Sequence, residues 1–264
     1  MGLWGPVKKA LNNDIDIPLN ELIRNSAFDA ISINKVHGGE AFTTAGTHTW
    51  TCPDGVYFVL VFLGSGGGGG ASGSAGNSGS TSSKGGSGAG GEGGNILIAL
   101  VKVESGVTYN IVVGKGGTGG AKPTANATVG NAGNRGGTTS FGGLVSAIGG
   151  EGGNAPSSYT KGGNGGSTTL EELLNGSGVT FETTDVQIMY LQSGDNGNAG
   201  TDGGSTYAVG STGGGTTTVL DADFPEFTGF TVVGTGGSGG DGGAAASDAD
   251  AGSAGAKGNA FLKW

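Results

Sequence analysis

Five consecutive glycines, Gly66 to Gly70, follow almost directly on an eight-residue apolar run, Val56 to Leu63. That juxtaposition constrains the chain more than any other feature. In all, 64 of the 264 residues are Gly, about a quarter, where ordinary proteins carry about 7%. Glycine loses the most backbone entropy on folding and brings no side chain to bury. Stability must then come from close backbone packing, disulfides or self-association. Cys52 is the single cysteine, so no intrachain bridge forms. A collagen helix is excluded as well, because only six prolines are present and the glycines form doublets and runs without a strict three-residue period through the chain. Disorder is the default for Gly/Ser tracts, but here apolar β segments punctuate them. Close backbone packing helped by self-association is the expectation.

The net charge is −9 and the pI near 4.5, with no basic patch, which argues against nucleic-acid binding. No signal-type segment and no run of 18 apolar residues is present, so synthesis in a cytoplasm without membrane insertion is expected.

Two regions are expected. Residues 1–39 hold few glycines and read as a short helical anchor. Pro18 suits a first helical turn, and Leu19, Leu22, Ile23 and Ala27 recur at helical spacing. With Leu3 and Trp4 they form an apolar face that must bury against a partner. Ile31 and Ile33 alternate as a strand. Residues 40–264 form the body. Thr47 to Thr51 reads as a strand, Pro53-Asp54-Gly55 as a turn, and Val56 to Leu63 as a strand buried on both faces. Asn95 to Val103, the turn Glu104-Ser105-Gly106, and Val107 to Val113 read as a β-hairpin. Further strands are expected at Thr138 to Phe141, Leu144 to Ile148, Val179 to Glu182, Val186 to Leu191, Thr217 to Leu220, Phe230 to Val233 and Asn259 to Trp264, with a helical turn at Leu170 to Leu174. Phe58, Phe62 and Phe261 are expected in the core. The intervening tracts fit extended polyproline-II segments packed backbone to backbone. The fold class is all-β, a sandwich-like glycine-rich β/polyproline-II domain with a short N-terminal helical anchor.

An ordered series of motifs runs through the body: Thr49-Trp50-Thr51-Cys52-Pro53-Asp54-Gly55-Val56; Leu63 leading into Gly66 to Gly70; Ser105-Gly106-Val107-Thr108-Tyr109-Asn110-Ile111-Val112-Val113-Gly114; Gly136-Gly137-Thr138-Thr139-Ser140-Phe141-Gly142; and Ala256-Lys257-Gly258-Asn259-Ala260-Phe261-Leu262-Lys263-Trp264. In this order they resemble the glycine-rich domains of bacteriophage tail fibres and tail-tip adhesins. The resemblance implies a non-enzymatic virion protein, with a polyproline-II sandwich whose exposed loops touch a host-surface glycan or outer-membrane protein. It also implies docking on other virion proteins through residues 1–39, and a homotrimer. A structural virion part without receptor binding, such as a head fibre, decoration protein or tail cap, is the alternative.

Chemistry-bearing motifs are weak. Gly114-Lys115-Gly116-Gly117-Thr118-Gly119 fits a dinucleotide fingerprint, but Lys122-Pro123 follows where a helix is needed. Gly236-Gly237-Ser238-Gly239-Gly240-Asp241 starts a calcium-roll repeat that does not recur. Asp195, Asn196, Asn198 and Asp202 miss the EF-hand spacing. Glu171, Glu172, Asp185, Asp221, Asp223 and Glu226 are scattered rather than paired as in glycosidases. His37 and His48 lack zinc-ligand companions. No metal site, cofactor or catalytic residue is expected, and Cys52 reads as a small buried apolar residue. Aromatic residues in loop-like or Gly-flanked positions are the receptor-binding candidates: Tyr159, Tyr190, Tyr207, Phe224 and Phe227.

Overall fold

The computed structural model describes residues 38–79, 83–158, 160, 162–166, 185–204, 208–214, 234, 236–237, 239–243 and 248–264. The expected N-terminal helix, the Ile31–Ile33 strand, the helical turn at 170–174, and the strands at 179–182, 217–220 and 230–233 lie outside these residues.

Among the described residues nine strands form two antiparallel sheets: β1 (Gly39–Phe42), β2 (Gly46–Thr51), β3 (Phe58–Gly64), β4 (Ile96–Lys102), β5 (Thr108–Val113), β6 (Thr139–Phe141), β7 (Val145–Ala147), β8 (Val186–Gln192) and β9 (Asn259–Lys263). The five-stranded sheet runs β1-β9-β3-β4-β8 and the four-stranded sheet β2-β5-β6-β7. Val59, Val61 and Leu63 on one face of β3 join Trp50, Ile111 and Phe141 in the core between the sheets. Leu60 and Phe62 on its other face pack with Ile96, Ile98 and Phe261. Burial on both faces explains why β3 is an unbroken apolar run rather than an alternating one. Phe58 departs from expectation and is 50% exposed, at the outer end of β3. The outer face of the four-stranded sheet carries Thr47, Thr49 and Thr51 from β2, with Thr108, Asn110 and Val112 from β5, all exposed.

The expected hairpin over residues 95–113 does not form. Strand β4 pairs with β3 and β8, whereas β5 pairs with β2 and β6 in the other sheet. Two turns carry the chain between sheets side by side. Gly55 (φ 79°) and Gly106 (φ 77°) allow the sharp reversals. The turns are stapled together by Cys52 N–H to Val107 O, Gly106 N–H to Cys52 O and Val103 N–H to Tyr57 O, each 2.9 Å. A turn signal marks a reversal but not whether the next strand returns to the same sheet. Strand β1, unread in the sequence, pairs with β9.

Beyond the strands, the described residues make five out-and-back excursions as extended rods. The outbound and returning members are rods 1 and 2 (65–76, 84–95), 3 and 4 (114–121, 130–138), 5 and 6 (148–154, 162–166), 7 and 8 (193–203, 208–214), and 9 and 10 (234, 236–237 and 239–243; 249–258). Rod 1 shows how they are held. The N–H groups of Gly66, Gly67 and Gly68 donate to Gly137 of rod 4, Ala256 of rod 10 and Glu92 of rod 2, and Gly69, Gly70 and Ala71 repeat the cycle to Asn134, Ser253 and Ala89. The carbonyls of Gly66, Gly67 and Gly68 accept from Gly150 of rod 5, Gly117 of rod 3 and Gly237 of rod 9, and the next three again repeat. These bonds span 2.7–3.0 Å. A three-residue cycle of partners is that of a polyproline-II helix, whose backbone groups point outward and find no partner within their own segment.

Rod 1 is thus enclosed by rods 3, 4, 5, 2, 9 and 10. Rod 2 is likewise bonded to rods 1, 5, 6, 7, 8 and 9. The lattice has three layers: rods 4, 5 and 6; rods 3, 1, 2 and 7; rods 10, 9 and 8. Glycine is needed for close approach and not for φ, because no rod glycine has positive φ among the described residues. A Cβ on Gly69 would stand 2.2 Å from Thr118 O. Outer rods require glycine only on inward positions, so short three-residue registers appear after all: Gly130, Gly133 and Gly136; Gly194, Gly197, Gly200 and Gly203; Gly252, Gly255 and Gly258.

Where pleated strands give way to rods, buried polar side chains satisfy the backbone. Asn95 donates from Nδ2 to Ile148 O (2.8 Å), accepts Gly194 N–H at Oδ1 (2.8 Å), and its own N–H donates to Ser65 Oγ (2.7 Å). Thr139 Oγ1 donates to Gly64 O (2.8 Å) and accepts Gly114 N–H (3.0 Å). Within the lattice, Ser72, Ser74 and Ser87 accept the N–H groups of Asn131, Gly130 and Thr201.

One connection carries backbone strain. Ala127 has φ 51°, the left-handed region, which costs a non-glycine residue about 1–2 kcal/mol. Part of that gain is offset by glycine's greater unfolded entropy. Ala127→Gly is therefore expected to stabilise the protein by about 0.5–1 kcal/mol, read as a raised urea midpoint with an unchanged slope.

Candidate functional site

Every outbound rod leaves the sheets and every returning rod comes back to them. The described residues between paired rods, 77–79, 83, 122–129, 155–158, 160, 204 and 248, therefore gather at the end of the lattice farthest from the sheets. Backbone and side-chain bonds tie that end together. Asn126 Nδ2 donates to Ser78 Oγ (3.0 Å), Gly76 N–H to Gly243 O (2.9 Å), Gly203 N–H to Thr160 O (2.9 Å) and Lys84 N–H to Gly204 O (3.0 Å). Asn77, Ser78, Thr124 and Asn126 are exposed there, and Val209 is 71% exposed. Small hydroxyl and amide side chains on a rigid base make adaptable hydrogen-bonding surfaces, as in antibody loops. The chain enters at the opposite end. Gly38 exchanges backbone bonds with Trp264 (2.9 and 3.1 Å), beside the outer ends of β1, β9 and β3.

Of the five aromatic receptor candidates, Tyr190 is described and is not in a loop. It lies in β8, half-buried beside Leu60, Phe62 and Ile98, and its hydroxyl donates to Gln192 Oε1. Tyr159, Tyr207, Phe224 and Phe227 lie outside the described residues. In chain order Tyr159 falls between rods 5 and 6 and Tyr207 between rods 7 and 8. Phe224 and Phe227 fall between rods 8 and 9, whose flanking Gly214 and Gly234 bond to Gly91 and Gly94 near the sheets. The docking candidates Leu3, Trp4, Leu19, Leu22 and Ile23 also lie outside.

Other chemistry-bearing candidates have structural placements. The fingerprint-like glycines at 114–119 belong to rod 3. Asp185 pairs with Lys102 at 3.2 Å on the surface. Asp202 Oδ1 accepts the Gly162 N–H (2.9 Å) and Asn198 Nδ2 donates to Thr212 Oγ1. Among the described residues no group of three or more His, Cys, Asp or Glu converges as a metal site would. His48 Nε2 lies 2.7 Å from Thr44 O. Glu92 is buried in rod 2, where Oε2 accepts the Glu151 N–H at 2.8 Å.

Cys52 is buried at 1% exposure, with Sγ donating to Val56 O at 3.4 Å. Burial, reinforced by the nearby Asp54 carboxylate, pushes its thiol above the ordinary cysteine value. At pH 8 the native protein should therefore resist thiol labelling for hours, while urea-unfolded protein labels within minutes. Rapid native labelling would contradict this.

The polar junction residues were missed in the sequence, although a signal was there. Asn95 stands between a glycine and an apolar strand, Asn259 follows Gly258 as the first residue of β9, and Thr139 follows Gly136-Gly137-Thr138 at the start of β6.

The motif residues scattered along the chain converge. Trp50 packs against Trp264 (centroids 5.2 Å apart), Tyr109 (6.0 Å) and Phe141 (6.0 Å), and Tyr109 stacks on Phe141 at 5.3 Å. Such aromatic clusters add about 0.5–1.5 kcal/mol per pair beyond burial. No curated protein matches the chain. The family model described as "Glycine-rich domain" matches residues 43–264. With its glycine lattice and the converging aromatic motifs inside that match, the chain belongs to this glycine-rich domain family.

Proposed function

We propose that this chain is a non-enzymatic bacteriophage virion protein, a tail-fibre or tail-tip component that binds the host cell surface with its loop end. The observation that carries this reading is polarity. The described residues between paired rods crowd one end of a hydrogen-bonded lattice, and Gly38, to which residues 1–37 are joined, lies at the other. Twelve rod residues at about 3.1 Å and seven strand residues at about 3.3 Å separate the two ends by roughly 60 Å. The anchor segment would dock on other virion proteins, and the loops would meet a host glycan or outer-membrane protein. Loop sequence can change without disturbing the lattice, because loops protruding from a rigid scaffold tolerate variation. Tyr159 and Tyr207 are the expected aromatic contacts.

The purified protein should bind host cells and block infection. The double variant Tyr159→Ala/Tyr207→Ala should lose at least about tenfold in cell binding with an unchanged melting temperature. Absence of cell binding, together with tight binding to particles lacking this protein, would instead favour a structural head-fibre, decoration or tail-cap role.

A further inference from the structure

The chain enters the body through one short edge strand. Gly38 and Trp264 exchange both backbone bonds (2.9 and 3.1 Å). Strand β1 then pairs with β9 from Gly39 opposite Lys263 to Phe42 opposite Ala260. Bonded pairs alternate along an antiparallel ladder, so Gly38–Trp264, Glu40–Leu262 and Phe42–Ala260 are the three that hold β1. Both ends of the strand are secured. At the outer end the Trp264 ring lies over Gly38, where a Cβ would stand 2.9 Å from Cε2 and Cζ2. That ring packs in turn on Trp50, with centroids 5.2 Å apart. At the inner end Phe42 is buried beside His48, with ring centroids 5.5 Å apart. The arch Thr43-Thr44-Ala45 that follows is held by Lys257 Nζ, which donates to Thr43 O, and by His48 Nε2, which donates to Thr44 O at 2.7 Å.

We infer that the β1–β9 pair is a mechanical clamp, which carries tension between the entry point at Gly38 and the loop end. Direction decides this. Strand β1 runs from Gly39 at the outer end to Phe42 at the lattice end, along the line that joins Gly38 to the distal loops. Tension on that line draws β1 lengthwise past β9. The ladder bonds lie perpendicular to the strands, so all the bonded pairs are strained together and must break together. Tension that draws Gly38 sideways from Trp264 would instead break them one after another. The fixed side of the clamp is well seated. Strand β9 pairs with β3 from Leu60 opposite Lys263 to Gly64 opposite Asn259, and Gly258 before it belongs to rod 10. The use of such a clamp rests on the two-ended reading above, because a tether between particle and cell is pulled along its length.

The test is single-molecule force measurement on the full chain, at one loading rate in two geometries. Handles on His37→Cys and Thr124→Cys pull along the strands. Handles on His37→Cys and on a tag after Trp264 pull β1 away from β9. Thr124 is exposed among the distal residues, and Cys52 is buried and should stay unlabelled. Lengthwise rupture should need roughly threefold more force, since three pairs resist together rather than singly. Gly38→Pro removes a donor and drives ring carbons into Trp264, opening the outermost pair, so the lengthwise force should fall by about a third. Ala41→Pro should leave that force unchanged, because the Ala41 N–H points away from β9. Unchanged melting temperatures verify folding of both variants. Equal forces in the two geometries overturn the clamp. So does a Gly38→Pro protein as strong as wild type, or an Ala41→Pro protein as weak as Gly38→Pro. No receptor enters these readings. Equal forces in a protein that still binds host cells would remove the clamp alone, whereas a strong clamp in a protein that binds no cells would remove only the receptor reading.

Discussion

Gly88→Ala is expected to be among the most damaging single substitutions, costing about 3–5 kcal/mol and lowering Tm by roughly 10 °C. Gly88 lies in rod 2, enclosed on all sides. A Cβ there would stand 2.1 Å from Ala71 O and 2.6 Å from its carbonyl carbon. Backbone cannot swing aside as a side chain can, so rod 2 would have to leave rod 1. Overpacking alone costs about 1–3 kcal/mol, and each stretched backbone bond adds about 1 kcal/mol. The bonds at stake are Ala71 N–H to Ala89 O and Gly88 N–H to Gly240 O. Ala132→Ser, on an exposed position of rod 4, should stay within about 0.5 kcal/mol. Thermal and urea unfolding of both variants decides the matter. A Gly88→Ala protein melting with the wild type would mean that these rods do not pack at the described spacing.

Asn95→Ala should cost about 2–5 kcal/mol, by a different route. Truncation removes two side-chain bonds and leaves the Ile148 carbonyl and the Gly194 N–H without them. Each buried group so orphaned costs about 1–3 kcal/mol. Those groups begin rods 5 and 7, so amide exchange should quicken first at the sheet ends of these two rods. Ionised, Asn95→Asp keeps the acceptor for Gly194 but sets a carboxylate against the Ile148 carbonyl; at a pH where the carboxyl is protonated its O–H can donate there, and the variant should fall between alanine and wild type. An alanine variant with wild-type exchange at Gly194 would refute the junction role.

Much of the fold was legible because it rests on side chains. The apolar run at 56–63 announced a strand buried on both faces, and Pro53-Asp54-Gly55 a reversal enabled by glycine. The Gly-rich tracts required backbone-to-backbone packing because nothing else in them could be buried. The exposure of Phe58 was not legible, since an apolar run carries no mark of where the sheet stops covering it. Nor was the split of β4 and β5 between sheets, because pairing depends on the surfaces that surround each strand. The strand that carries Tyr190 was legible at Val186 to Leu191, but the packing of its ring against the cluster of Leu60, Phe62 and Ile98 was not.

The sequence by itself determined the materials, which are apolar strands, tight turns and rods that only glycine can build. Tertiary structure alone decided which rod lies beside which. Every glycine offers the same N–H and C=O, and a polyproline-II helix directs successive groups to three different neighbours, so no local pattern encodes a partner. Register is instead set from the rod ends that adjoin strands, where strand pairing and the side chains of Ser65, Asn95 and Thr139 fix rods 1, 2, 3 and 5 in the lattice.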